Sequence, residues 1–480
     1  MYRLLLTLFI GAFLILACGP QRGVQYDIED QHTVAVINDW RVPTDSARAL
    51  QTGMNRGQVQ HHLRDVVQGI IENELIAEYA LDRYGMEELV KQNRVAFEFD
   101  VIIEDQSTAI LRHHFEDAML QSIAQELPEG SLAGTTTQAF TLKGEELLDI
   151  AELQHLGKIA LTQEQQQRAK ETVLIAFQFP GAEEQRVTLW DIYRRMNIQG
   201  KDRIHKGDVG FVEDHARQRV GSAYVRYWLK QNRAHGEAII AAVERFVRNK
   251  ELKQRYMQKV GLIAVLHANT SEVFKHRAEQ VPQAEIAAYF KEHKADFERV
   301  ERARGRHLRF ADESTANKAY AALHEGASYD SVAEHYQDKL LAQGDTGWIE
   351  RRDREQMWLQ TLLFTQPLDT PSRPFRSPQS EGEDIYWDIV IVDQRETGYP
   401  AVDSESVRYE VSQILAKAAI SKDFKLLRDT LFKNALVRLN PTLLELDEQG
   451  DPLPGTESTH KKRQPFSATL QHGDHAGHSH

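Results

Sequence analysis

Apolar residues at Leu63, Val66, Val67, Ile70, Ile71 and Leu75 recur every three or four positions, which predicts an amphipathic helix ending near Gly85. Helical patterning continues over 87–127 and resumes over 143–171, after a Gly/Thr-rich break at 130–137. Further helices are predicted at 211–233 and 236–260, the second with Ile239, Ile240, Val243, Phe246 and Val247 on one face. Strand signals interrupt this pattern. Val34-Ala35-Val36-Ile37 precedes an Asn38-Asp39 turn, and residues 173–193 read strand, turn, short strand, helix start. A helix over 283–297 carries Ile286, Tyr289, Phe290 and Phe297. Residues 303–398 then alternate strands and helices in a block the size of a small domain. A helix returns over 403–440, with Val407, Val411, Ile414, Leu415 and Phe424 among its apolar positions.

The 480-residue length fits two to four domains, and 41% hydrophobic residues are enough to build cores. A net charge of −13 argues against nucleic acid as the main partner. The lone cysteine, Cys18, excludes an internal disulfide. Its position changes the picture further. Arg3 precedes an apolar run over 4–16, then Ala17 and Cys18, the layout of a secretory leader too short to span a bilayer comfortably. Leu-Ile-Leu-Ala-Cys resembles the bacterial lipobox. It implies a leader over 1–17, acyl chains on Cys18 inserted in a membrane, and a polar tether over 18–32. Residues 445–480 are rich in Pro, Gly, Ser and His and read as a disordered tail. Its His472, His475, His478 and His480 are irregularly spaced and make only a weak metal candidate. No Gly-rich phosphate loop, HExxH or Ser/His/Asp signature is present, and no cofactor is expected.

One set of motifs is specific because it covers about 110 residues in a fixed order. Ile286, Tyr289, Phe290 and His293 lie on the 283–297 helix, followed by Arg304 and His307 in ARGRHLRF. Gly326-Ala327-Ser328-Tyr329, DSVAEHYQD, Gln343-Gly344-Asp345-Thr346-Gly347-Trp348 and a late strand over 384–394 follow. The set resembles the parvulin-type prolyl isomerases of extracytoplasmic chaperones of the SurA and PrsA kind. The resemblance implies an α+β protein with a mostly helical SurA/PrsA-like chaperone module over 33–282. It implies a linker helix and parvulin-like domain over 283–398, and a closing C-terminal helix that packs back on the N-terminal module. It assigns catalytic places to His307 on the first strand, Asp338 in the middle and Asp388 on the last strand. There Tyr386-Trp387-Asp388-Ile389 stands where the family carries a second histidine. Met357, Leu359 and Phe364 stand for the apolar floor that grips proline.

The function so implied is folding assistance for unfolded exported proteins, at a periplasmic membrane face held through Cys18, with prolyl isomerase activity. Departure at Asp388 keeps a second function open, a non-catalytic holdase. A third is a structural lipoprotein docking on an envelope complex. His61-His62 and His113-His114 are expected on the surface.

Overall fold

A computed structural model describes residues 23–55, 60–90, 97–153, 159–263, 271–354, 357–376, 385–447 and 450–453. The expected leader over 1–17, Cys18 and the four tail histidines lie outside the described residues. The fold is α+β and dominated by helix. It divides into two units, one formed by Met1–Phe274 with Ala419–His480, the other by Lys275–Ala418.

In the first unit the predicted stripe forms one side of the helix Leu63–Leu89, where Val66, Val67, Ile70, Ile71 and Leu75 are buried. The helix is interrupted at Gly85, whose φ of 72° suits a residue without Cβ. Helices Thr44–Met54, Phe99–His114, Val209–Asn232 and Gly236–Lys259 share its core, which includes Leu50, Leu111, Trp228 and Val243. The segment 173–193 forms the expected strands Val173–Phe177 and Gln185–Thr188, paired antiparallel, and the helix Leu189–Tyr193. Thr188 caps that helix by accepting from the Asp191 amide at 3.2 Å.

Three expectations change here. The C-terminal helix ends at Asn434, and Leu436–Leu439 is a strand. This strand pairs with Thr33–Ile37 on one side and Gly23–Gln25 on the other. In the sheet Val437 and Leu439 are buried while Leu436 and Arg438 are half-buried, the two-residue period of a strand. Asn38, at the turn between Thr33–Ile37 and Trp40–Pro43, accepts from the Leu436 amide through Oδ1 at 3.2 Å and so fixes the register. Residues 23–32 are correspondingly not a free tether. Gly23 donates to Ala435, Asp27 pairs with Arg438 at 2.9 Å, and Ile28 is buried. His61, His62, His113 and His114 are half-buried rather than exposed, and His114 bonds Thr52 through Nδ1 at 2.8 Å.

The second unit is a sheet with helices on both faces. The long strands Arg299–Phe310 and Trp387–Gly398 pair antiparallel at its centre. Leu340–Asp345 and Ile349–Glu350 flank the first, and Phe375–Arg376 flanks the second. Leu308, Phe310, Ile389 and Ile391 point to one face and pack against helices Glu313–His324 and Tyr329–His335. Ser328 starts the latter helix by accepting from the Ser331 amide, which explains the Gly-Ala-Ser-Tyr turn. Ala303, Val390 and Val392 point to the other face, under Leu359 and Leu363 of the helix Met357–Thr365. Helix Gln283–Glu292 packs Ile286 and Phe290, with Phe297, against Val407 and Val411. This N-terminal half of the helix Glu405–Asn434 thus belongs to the second unit's core.

Gly305 lets the helix Met357–Thr365 lie on the sheet. A Cβ there would sit 2.2 Å from the Ile391 carbonyl oxygen and 2.6 Å from Leu363 Cδ2. Gly305→Ala is expected to destabilise this unit by about 1–3 kcal/mol through forced backbone shifts. Urea unfolding followed by hydrogen exchange in 299–310 measures it, and wild-type protection would refute this packing.

Candidate functional site

The site lies on the face of the central strand pair that the helix Met357–Thr365 covers. His307 is in register with Val390, and Arg309 with Asp388. Side chains two residues apart share a face, so His307, Arg309, Asp388 and Val390 converge. His307 Nε2 lies 2.5 Å from Asp388 Oδ1. Arg309 donates to the same carboxylate through Nε at 2.9 Å and Nη2 at 3.2 Å. Asp388 is fully buried. Burial pushes its carboxyl up, but the hydrogen bonds and charges of His307 and Arg309 outweigh this and hold it below the ordinary aspartate value.

The backbone around His307 is pinned independently. Tyr329 donates its hydroxyl hydrogen to the His307 carbonyl at 2.9 Å and accepts from the Gly344 amide at 2.9 Å. Asp345 and Thr346 shape the following turn. Asp345 Oδ1 accepts from the Gly347 amide at 2.8 Å, while Thr346 Oγ1 accepts from the Gly305 amide at 3.0 Å. These contacts fix the first strand to Leu340–Asp345 and to the turn after it, and use the backbone rather than the imidazole of His307.

An aromatic wall stands over the cluster. The Trp358 ring meets His307 edge-on at 5.9 Å and Phe375 at 5.6 Å between centroids. Phe375 is the cross-strand partner of Asp388. The Arg309 guanidinium lies 6.0 Å from the Trp358 ring centre and 5.2 Å from that of Tyr386.

Of the residues proposed from sequence, the structure joins His307 and Asp388 directly. It keeps Asp338 apart: this residue lies exposed in the short helix Gln337–Lys339 and makes no hydrogen bond to either. Asp388 is also not an open catalytic face, because no part of it reaches solvent. Met357 is exposed and outside the core. Leu359 is a core residue, 4% exposed against Ala303, Leu363, Val390 and Val392. Phe364 packs at the margin of that core beneath the Arg351 guanidinium. Sequence reasoning missed Arg309, Trp358, Phe375 and Tyr386. Arg309 was legible from alternation, being two positions beyond His307. The aromatic residues depend on how the 351–376 segment folds over the sheet.

Among the described residues no group of three His, Cys, Asp or Glu side chains is placed to hold a metal, and no helix is long and apolar enough to cross a membrane.

No protein-family model and no curated protein matches the chain. Three solved structures do. A structure from work on two related SurA-like chaperones of Campylobacter jejuni is 9% identical, covering 85% of this chain and 98% of that one, with a TM-score of 0.24. The foldase protein PrsA of Streptococcus pneumoniae is 10% identical over 47% of this chain and 74% of its own, with a TM-score of 0.15. Foldase protein PrsA of Lactococcus lactis is 12% identical over 54% and 93%, with a TM-score of 0.17. The solved structures this chain is similar to are therefore described as SurA-like chaperones and PrsA foldases.

Proposed function

We propose that the chain is an envelope folding factor for exported proteins and that its second unit is a parvulin-type peptidyl-prolyl isomerase. The observation that carries this reading is His307, tied across the central strands to a buried carboxylate and facing an aromatic wall of Trp358 and Phe375. Prolyl isomerisation breaks no covalent bond. It needs the partial double bond of the amide to be twisted, against a barrier of about 18–20 kcal/mol for an ordinary peptide. A wall of rings can grip the proline and strip water from the amide. A histidine held in one orientation can then stabilise the charge that the twist redistributes. Asp388 acts as a positioning residue, which is the role left to a carboxylate with no exposure. The leader-like run ending at Cys18 supports a lipid anchor, and with it an extracytoplasmic place of work.

The test is a protease-coupled or NMR-exchange isomerase assay on the chain following Cys18. Catalysis above an unrelated chaperone is expected, with a loss of at least tenfold in His307→Ala. A second reading, a holdase whose prolyl site binds without turning over, is favoured by the full burial of Asp388 and the separation of Asp338. Folded protein that binds prolyl peptides at blank rates would establish that reading instead.

A further inference from the structure

Resting on the proposed prolyl-peptide site, we infer that Arg309 is its specificity-determining residue and selects clients with an acidic residue adjacent to the proline. Three observations carry this. First, the charges of the cluster are unequally exposed. The Asp388 side chain is 0% exposed, whereas that of Arg309 is 26% exposed and that of His307 16%. An arriving peptide therefore meets the cation, while the compensating anion is shut beneath it.

Second, the guanidinium has donors to spare. Nε and Nη2 are bound to Asp388, and no described residue accepts from Nη1. An arginine fork with one edge fixed keeps the other pre-oriented for a second carboxylate. The Trp358 and Tyr386 rings at 6.0 and 5.2 Å limit its swing, so little side-chain freedom remains to be lost on binding.

Third, the spacing fits. His307 and Arg309 are alternate residues of one strand, so their Cα atoms stand roughly 6–7 Å apart along it, and their side chains converge from there on the same Asp388 oxygen. An extended peptide advances about 3.3 Å per residue, and a glutamate or aspartate next to a proline held at His307 covers the remaining distance with its own side chain.

The net charge of the chain is −13, so its long-range field repels acidic peptides. A preference for them has to arise locally, which makes the inference discriminating.

The experiment is fluorescence anisotropy with the full-length chain in neutral detergent at low salt, using labelled peptides that differ only beside the proline. The pairs Glu-Pro, Pro-Glu, Ala-Pro and Lys-Pro are compared. At least one glutamate peptide is expected to bind about fivefold more tightly than Ala-Pro, the size of a partly exposed ion pair. Lys-Pro is expected to bind more weakly than Ala-Pro, and the spread should shrink in 0.5 M salt, a concentration at which charges are screened within about 4–5 Å. Arg309→Gln is expected to bring the glutamate-to-alanine ratio close to one, and Arg309→Lys to retain part of it. The wild-type comparison needs no variant to fold. Equal binding of Glu, Ala and Lys peptides by the wild-type chain overturns the inference and leaves the prolyl site standing. Binding of none of them overturns both.

Discussion

Glu74→Ala is expected to destabilise the first unit by about 2–4 kcal/mol, although Glu74 lies far in sequence from every residue proposed for function. Its carboxylate is 1% exposed and accepts from Arg245 Nε at 3.1 and 3.0 Å, from Arg245 Nη2 and from Asn249 Nδ2. Asn249 is itself buried and would lose its partner. Breaking a buried pair from one side costs about 3–5 kcal/mol. The figure is reduced here because Arg245 is 37% exposed, stacks on the Trp40 ring at 4.5 Å and has Glu78 at 3.8 Å.

The same substitution should change the pH dependence. Glu78 is pushed up to about 7, first by burial and then by the charge of Glu74 four residues earlier. A carboxyl raised on folding stabilises fully below its unfolded value, near 4.5, and that stabilisation is lost as pH rises through about 7. Asp82 adds to the upward push and Arg245 opposes it. Wild-type protein should therefore lose stability between pH 5 and 7 from this group, and Glu74→Ala should show a shallower slope. Urea midpoints across that range measure both effects. An unchanged midpoint at every pH would show that the pair contributes nothing.

Asp388→Ala should have the largest effect in the second unit, about 3–5 kcal/mol. It leaves His307 and Arg309, alternate residues of one strand with their inner edges turned to the core, without their shared acceptor. Asp388→Asn keeps the volume and one acceptor oxygen and should cost less, about 1–3 kcal/mol. Because the carboxyl is held below its ordinary value of 3.8, its contribution is complete above that value and is lost as pH falls through the lower folded value. Acid loss from this group therefore begins below about pH 4. Hydrogen exchange in 299–310 and 387–398 reads the effect. Native protection in Asp388→Ala at neutral pH would contradict the assigned hydrogen-bond cluster.

Local pattern carried much of the fold. The stripe from Val66 to Leu75 follows from a period of 3.6, and the strands at 33–37 and 173–177 from short apolar, β-branched runs ended by turn signals, all of which depend only on near neighbours. His307 was legible because a motif surrounds it. The error at Leu436–Leu439 arose because four residues fit a helix or a strand equally well until a partner is known. That partner, at Asn38, lies 398 positions away.

The sequence by itself determined the alternation of elements, and its resemblance to parvulins put His307 and Asp388 on the first and last strands, where side-chain direction is fixed by the backbone. Only the tertiary structure decided that His307 and Asp388, 81 positions apart, meet at 2.5 Å. It also decided that the carboxylate is buried while the arginine reaches solvent, and that Leu359 enters the core while Trp358 faces the histidine. Those outcomes depend on strand register and on how the helix Met357–Thr365 lies over Gly305, and both are set by packing between segments distant in the chain.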